Sequence, residues 1–210
     1  MKGEEIIKDT LSALNVISGR AMPRILSQIC RDENSPFFGC ADRNWWHYKI
    51  RDFPSIILQQ SGATIHAAKG LMDFSSHHKN LDKLVVASCV FWTKRAIKFR
   101  SFEEYYPWEE GYPPLAFSTL STARMIAEGV VPIDYILPGL KVAVRQLLAR
   151  FESQAANQQV AGLAALSWIH KISPDLVSLT QVEGLIKKTL NLQDNEGWFY
   201  EYGGPDLGYL

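Results

Sequence analysis

The residues best suited to chemistry lie near the end of the chain, in residues 194–209, where aromatic rings and carboxylates share a glycine-rich backbone. Its side chains of interest are Asp194, Glu196, Trp198, Phe199, Tyr200, Glu201, Tyr202, Asp206 and Tyr209. Four glycines and one proline predict an irregular loop, because both residue types interrupt helices. Sugar rings lay their C–H faces on aromatic rings, and sugar hydroxyls hydrogen-bond to polar groups. This composition favours a carbohydrate site, and the alternative is a closing loop whose rings fill the core.

Two other stretches carry similar side chains. Residues 102–114 place Trp108 among tyrosines and glutamates, which predicts a second sugar-contacting loop or, alternatively, an exposed acidic turn. Upstream, Asn44-Trp45-Trp46 precedes His47, which we interpret either as a general base or sugar hydrogen-bond partner, or as a histidine that packs on its neighbours at a helix start.

The elements that position these stretches are predicted to be helices. Apolar spacing, glycines and prolines predict helices over about 3–17, 22–31, 55–71, 80–100, 114–128, 133–152, 157–172 and 175–191. Gly19 is the predicted stop of the first, and Ser173-Pro174 opens the last. Strand patterns are almost absent, so the sequence predicts an all-α fold.

The helices also alternate in character. Strongly amphipathic segments (133–152 and 175–191) follow segments rich in small residues (114–128 and 157–172). This alternation favours inner and outer layers, as in an α/α toroid: an incomplete barrel of helical hairpins. We expect residues 1–210 to form a single toroid domain, with the N-terminal part of a longer chain as the open alternative.

Composition narrows the classes of partner. Lys plus Arg equals Asp plus Glu at 22 each, so net charge predicts neither a nucleic-acid nor a membrane partner. The three cysteines lack a CxxC spacing, and we predict neither a metal site nor a cofactor. The first residues lack the apolar core of a signal peptide, which predicts a cytoplasmic protein. The sequence alone indicates no oligomeric state.

Two motifs resemble those of a known family. Asn44-Trp45-Trp46 with Ile50 and Pro54 resembles the Asn-Trp-Trp…Ile-Gly-x-Pro signature in the α/α-toroid domain of chondroitin and hyaluronan lyases. Residues 197–203 with Gly208-Tyr209 resemble a later glycine- and tyrosine-bearing segment of those lyases, and are similar to a loop of heparinase II/III-like enzymes. The two motifs occur in the family's order.

The resemblance implies roles for particular residues. Tyr209 matches the tyrosine that removes the proton beside a uronate carboxyl and protonates the leaving oxygen, and Tyr202 falls near the family's histidine. The expected acid/base residues are Tyr209, Tyr202, Glu201 and His47. The expected substrate-binding residues are Asn44, Trp45, Trp46, Trp108, Trp198 and Tyr200. Two differences stand out, since Arg51 replaces a glycine of the signature and the asparagine motif that neutralises the uronate has no counterpart.

Three functions follow as hypotheses. The first is a lyase-like, carbohydrate-active protein that acts on an acidic or modified oligosaccharide or polysaccharide by tyrosine-based β-elimination. The second is a non-catalytic glycan-binding or assembly module on the same fold. The third, a toroid of the terpene-cyclase kind, lacks the expected acidic DxDD cluster.

Overall fold

The computed structural model describes residues 2–42, 53–71, 81–100 and 102–204, and these ranges are built from helices. The elements are α1 (Lys2–Ser27), a 3-10 helix (Ile56–Gln60), α2 (Ser61–Leu71), α3 (Leu81–Phe99), α4 (Tyr112–Ala127), α5 (Ile133–Ala149), α6 (Ala156–Ile172) and α7 (Leu179–Leu190). Over the same ranges, β structure is limited to isolated bridges. The prediction of an all-α fold is therefore confirmed.

The first helix differs from its prediction. A single helix, α1, spans the predicted break at Gly19 and contains Pro23 in its interior. A helical glycine costs about 1 kcal/mol without forbidding the helix, and a proline removes one backbone hydrogen bond. Burial of Met22 and Leu26 in the core stabilises the turns around that proline. Packing therefore outweighs the local signals that predicted two helices.

Residues 28–42 fold back after α1 and are held to the core by the side-chain amide of Gln59. Ile29 and Ala41 form an antiparallel bridge. The side chain of Gln59 accepts a hydrogen bond from the Ala41 amide (3.0 Å) and donates to the carbonyls of Ala41 (2.7 Å) and Ser55 (2.9 Å). Because Gln59 is buried, these bonds satisfy polar groups that would otherwise be costly to remove from water.

The helix predicted over about 80–100 is present as α3, and it carries an apolar stripe. Its members are all buried: Leu81, Leu84, Val85, Cys89, Trp92 and Ala96. Trp92 also donates its indole N–H to the Ser118 hydroxyl of α4 across 2.8 Å, which fixes the two helices in register. Burial raises the pKa of the Cys89 thiol to about 12, so it packs as a neutral side chain.

The two most extensive helix–helix contacts join helices two apart along the chain, α4 with α6 and α3 with α5. Consecutive helices also pack, as α2 does on α3 and α7 on α6. The N-termini of α4 and α6 meet, because the Tyr112 hydroxyl donates to Gln159 Oε1 across 3.0 Å. The intervening helix α5 contributes Leu140, Val144 and Leu147 to the core.

The last helix starts later than Ser173-Pro174 predicts. α7 begins at Leu179 and is preceded by a capping box, in which the Ser178 hydroxyl accepts from the Gln181 amide and the Gln181 side chain accepts from the Ser178 amide. The reciprocal cap satisfies two backbone donors, so it decides the start more strongly than the proline. Among the helices described, none is both long and apolar enough to cross a membrane.

Candidate functional site

Both predicted aromatic loops that the structure describes lie at one end of the helical body, here called the aromatic end and defined as residues 102–111 and 192–204. The first loop runs directly into α4, and the second contacts the first turn of α6. These two helix starts are joined by the hydrogen bond between Tyr112 and Gln159. The end of α5 also contacts the first loop, because Arg150 Nη2 donates to the Glu110 carbonyl across 2.8 Å.

The loop 102–111 is held from within by one carboxylate. Glu109 Oε2 accepts hydrogen bonds from the backbone amides of Glu104 (3.0 Å), Tyr105 (2.8 Å) and Tyr106 (3.3 Å). At its two ends, the Gly111 amide donates to the Phe102 carbonyl across 3.0 Å. A carboxylate that accepts several backbone amides stabilises a compact turn. The loop is thus an ordered scaffold.

This scaffold presents rings to solvent. Tyr105, Tyr106 and Trp108 are 58%, 72% and 67% exposed. Trp108 has a φ of +67°, a conformation that non-glycine residues adopt at a cost, and the loop imposes it. Large aromatic surfaces left outside the core mark binding sites more often than single exposed aliphatic residues do.

The loop 192–204 is also ordered by a carboxylate that accepts hydrogen bonds from backbone amides. Asp194 Oδ1 accepts from the amides of Glu196 and Trp198, each at 2.9 Å, and Gly197 takes a φ of +94° that suits glycine. Trp198, Tyr200 and Tyr202 lie at the surface, with Trp198 and Tyr200 close to two-fifths exposed. These three rings therefore do not fill the core, which was the alternative interpretation of this loop.

Glu201 turns inward and caps α6. Its Oε1 accepts from the Asn157 amide across 2.6 Å, and the residue is buried. A helix N-terminus carries partial positive charge and unpaired N–H groups, so a carboxylate there is stabilised. The cap comes from a residue 44 positions along the chain. If Glu201 has the predicted acid/base role, its carboxylate must act while it accepts a hydrogen bond from the first turn of α6.

Tyr202 lies beside that cap in a strained conformation. Its φ is +53°, and its amide donates to the Gln154 carbonyl across 2.6 Å. The phenol oxygen accepts from the Gln158 side-chain amide at 3.0 Å. Of the predicted acid/base residues, Glu201 and Tyr202 are the two that the structure describes.

Of the residues that join the two loops, Tyr112 lies in the predicted aromatic stretch 102–114, whereas Arg150 and Gln159 were not singled out from the sequence. Tyr112 is buried, its ring lies under the Arg150 guanidinium at 5.6 Å, and Gln159 Oε1 also accepts from the Glu152 amide at 2.9 Å. Burial raises the pKa of Tyr112 to about 12, with Arg150 opposing the rise and Glu152 adding to it. A Cβ at Gly162 would collide with the Tyr112 hydroxyl, so this glycine is the one local signal of the contact.

Other predicted site residues lie outside the described ranges. These are Asn44, Trp45, Trp46, His47 and Tyr209. Within 2–42, 53–71, 81–100 and 102–204, no three His, Cys, Asp or Glu side chains are grouped so as to hold a metal ion.

The chain was also compared with known proteins. No protein-family model, no curated protein and no solved structure matches it.

Proposed function

We propose that this protein is a carbohydrate-active protein that binds an acidic or modified oligosaccharide at its aromatic end. The observation that carries the proposal is the placement of Trp108 and Trp198 on two ordered loops that are anchored at adjacent helix N-termini. Exposed rings on rigid loops stack on sugar faces without a large loss of side-chain freedom.

Several contacts reduce the repulsion that an acidic sugar meets at the seven carboxylates of the aromatic end, which has no Lys or Arg of its own. The starts of α4 and α6 direct partial positive charge toward the loops, and the Arg150 guanidinium lies over the Tyr112 ring at the start of α4. Three carboxylates of the same end are directed at backbone amides: Glu109, Asp194 and Glu201. Their charge is therefore partly neutralised by the protein, which lowers the repulsion that a uronate would meet.

The proposal includes the α/α-toroid architecture. Packing between helices two apart along the chain, α3 with α5 and α4 with α6, supports an inner and an outer layer. In such a layer the parallel helices present their N-termini at one face. That face is the aromatic end.

Binding is tested by titrating uronate-containing oligosaccharides into the full chain while tryptophan fluorescence and heat are recorded. We expect Trp108→Ala and Trp198→Ala each to weaken binding about tenfold, which corresponds to about 1.4 kcal/mol for a lost stacking contact. Tyr135→Ala is the matched control, because Tyr135 is as exposed as Tyr105 but lies on the first turn of α5, at the opposite end of that helix from Arg150. Equal losses in all three variants, or no binding of any glycan, would refute the proposal.

A lyase-type β-elimination is the second function we propose, and the hydrogen bond from Gln158 to the Tyr202 phenol favours it. A phenol that is held in place by a neighbouring side chain is positioned to act on the proton beside a uronate carboxyl. The product is an unsaturated uronate, which absorbs ultraviolet light. We expect absorbance to rise with time, and expect Tyr202→Phe and Tyr209→Phe to abolish the rise while binding persists. Binding without any rise in the unmodified protein would identify a non-catalytic glycan-binding module.

A further inference from the structure

Two cysteines face each other within residues 28–42, the segment that folds back after α1. The Cys30 amide donates to the Cys40 carbonyl across 2.9 Å, and the neighbouring residues Ile29 and Ala41 form an antiparallel bridge. One step from that bridge, the same register pairs Cys30 with Cys40. Opposed residues of an antiparallel pair have Cα atoms about 4.5–5.5 Å apart, which lies within the range of about 4.4–6.8 Å that a disulfide spans. Neither cysteine is in a disulfide.

A second observation also places the two thiols together. Successive residues of an extended segment point to opposite sides, and Ile29 and Ala41 both point into the core. Cys30 and Cys40, one residue further along each side, are therefore directed to the same side of the paired segments. Both of them line a single cavity of about 560 Å³. The register and the shared cavity thus agree that the two thiols are neighbours.

The turn between the cysteines holds them in this register. The Gly39 amide donates to the Cys30 carbonyl across 2.9 Å, so both backbone groups of Cys30 are bonded to the opposite segment. Gly39 takes a φ of +84°, which suits glycine, and a Cβ there would collide with the Ala87 backbone of α3. Within the turn, Asp32 Oδ1 accepts from the Asn34 amide across 3.0 Å. The pairing of the cysteines is therefore a property of the ordered backbone.

The two thiols differ in their access to solvent. Cys40 is 1% exposed, whereas Cys30 is partly exposed. A small oxidant therefore meets Cys30 first, and Cys40 is the thiol placed to react with the oxidised Cys30. An accessible cysteine next to a resolving one is the arrangement that reversible redox sites use. The third cysteine, Cys89, is buried on α3 and lies outside this pair.

We propose that Cys30 and Cys40 form a reversible oxidation site, at which hydrogen peroxide converts the two thiols into a disulfide. Cys30 loses its proton to solvent and its sulfur attacks one peroxide oxygen, so the O–O bond breaks, Cys30 becomes a sulfenic acid and the other oxygen leaves as water. The Cys40 sulfur then attacks the Cys30 sulfur, the S–O bond breaks, and that oxygen leaves as a second water with the Cys40 proton. The cysteine pair is thus oxidised while the peroxide is reduced to water. A small thiol such as reduced glutathione restores both thiols by disulfide exchange and is itself oxidised.

The first experiment treats the folded full chain with a small excess of hydrogen peroxide and maps its peptides by mass spectrometry. We expect a disulfide between Cys30 and Cys40, seen as the loss of two hydrogen atoms, and expect dithiothreitol to reverse it. Cys89→Ser is the matched control and should form the same disulfide. In Cys40→Ser the sulfenic acid of Cys30 should persist and be trapped by dimedone, whereas Cys30→Ser should give neither product. Circular dichroism of each variant shows whether the chain stays folded.

Equilibration in glutathione redox buffers separates the contribution of the fold from closeness along the chain. An unfolded chain also forms this disulfide, but it must first close the loop between the two cysteines. We expect the equilibrium constant for oxidation to be at least about tenfold larger in the folded chain than in the chain unfolded in urea. An equal or smaller constant in the folded chain would overturn the proposal. Peroxide treatment that leaves no disulfide between Cys30 and Cys40, or that joins either of them to Cys89, would overturn it as well.

Discussion

Replacing Tyr112 with phenylalanine tests how the two aromatic loops are held together. The substitution removes the hydroxyl that donates to Gln159 Oε1 across 3.0 Å and leaves the ring under Arg150. Gln159 Oε1 keeps its bond from the Glu152 amide at 2.9 Å, so no acceptor is stranded. The free energy of unfolding at pH 7 should therefore fall by only about 1 kcal/mol, the usual net value of one buried hydrogen bond.

The stability difference between the unmodified protein and Tyr112→Phe should change between pH 7 and pH 11 by more than its value at pH 7. The pKa of Tyr112 is about 12 in the folded protein and about 10 for an ordinary tyrosine. The folded state therefore resists ionisation, and its stability falls as pH rises from about 10 to about 12. Two pKa units correspond to about 2.7 kcal/mol in total, of which about 1.4 kcal/mol is lost by pH 11. Because Tyr112→Phe does not titrate, it should match or exceed the stability of the unmodified protein at about pH 11.

The assay is urea unfolding followed by circular dichroism at pH 7, 9, 10 and 11. Tyr135→Phe serves as the control, because that ring is exposed on α5 and its substitution should leave the pH profile unchanged. The reasoning is refuted if the unmodified protein stays about 1 kcal/mol more stable than Tyr112→Phe at pH 11. It is also refuted if Tyr135→Phe produces the same crossing.

Three further predictions concern the same end of the molecule. Gly162→Ala should lower the free energy of unfolding in urea by about 1–3 kcal/mol, because the new Cβ would collide with the Tyr112 hydroxyl. Adding Tyr112→Phe should restore part of this loss, and strictly additive losses would contradict the contact. Glu201→Ala should cost about 1.5–3 kcal/mol and speed hydrogen exchange at the Asn157 amide, whereas Glu201→Gln, which keeps an acceptor, should cost less. Equal costs would contradict this prediction, because they would show that a neutral acceptor recovers none of the lost stability. Glu109→Ala should speed hydrogen exchange at the amides of residues 104–106 by about tenfold or more, while exchange at the amides of α3 stays the same. Unchanged exchange at residues 104–106 would show that other contacts hold the loop.

The helices could be predicted from sequence where local periodicity and tertiary packing agree. In α3, the stripe from Leu81 to Ala96 has one spacing and one buried face, so both its existence and its core residues follow from the pattern. Gly19 failed as a stop in α1, because the packing of Met22 outweighs a local preference of about 1 kcal/mol. The predicted start of α7 at Ser173-Pro174 was also wrong, because the reciprocal cap formed by Ser178 and Gln181 sets the start at Leu179.

The site was predictable only in part, for a different reason. Glycines, acids and rings close together in sequence indicated both loops, and bonds over two to five residues, such as those of Asp194 and Glu109, do order them. The contacts that place the loops at one end join residues far apart, as between Tyr112 and Gln159, 47 positions away. A single sequence contains no local signal of such a pairing beyond an unusual small residue such as Gly162.

The remote cap on α6 also has a consequence for the order in which the protein folds. The turn built by Glu109 closes over at most five residues, so its loop-closure entropy is small and it can form with the start of α4. Glu201 reaches Asn157 only after α6 and α7 have folded back between them, a closure of 44 residues. The aromatic end is thus assembled in two steps, with the first turn of α6 completed last. In a folding experiment, the Asn157 amide should gain protection after the amides of residues 104–106, so the proposed binding surface is complete only when α6 and α7 have folded.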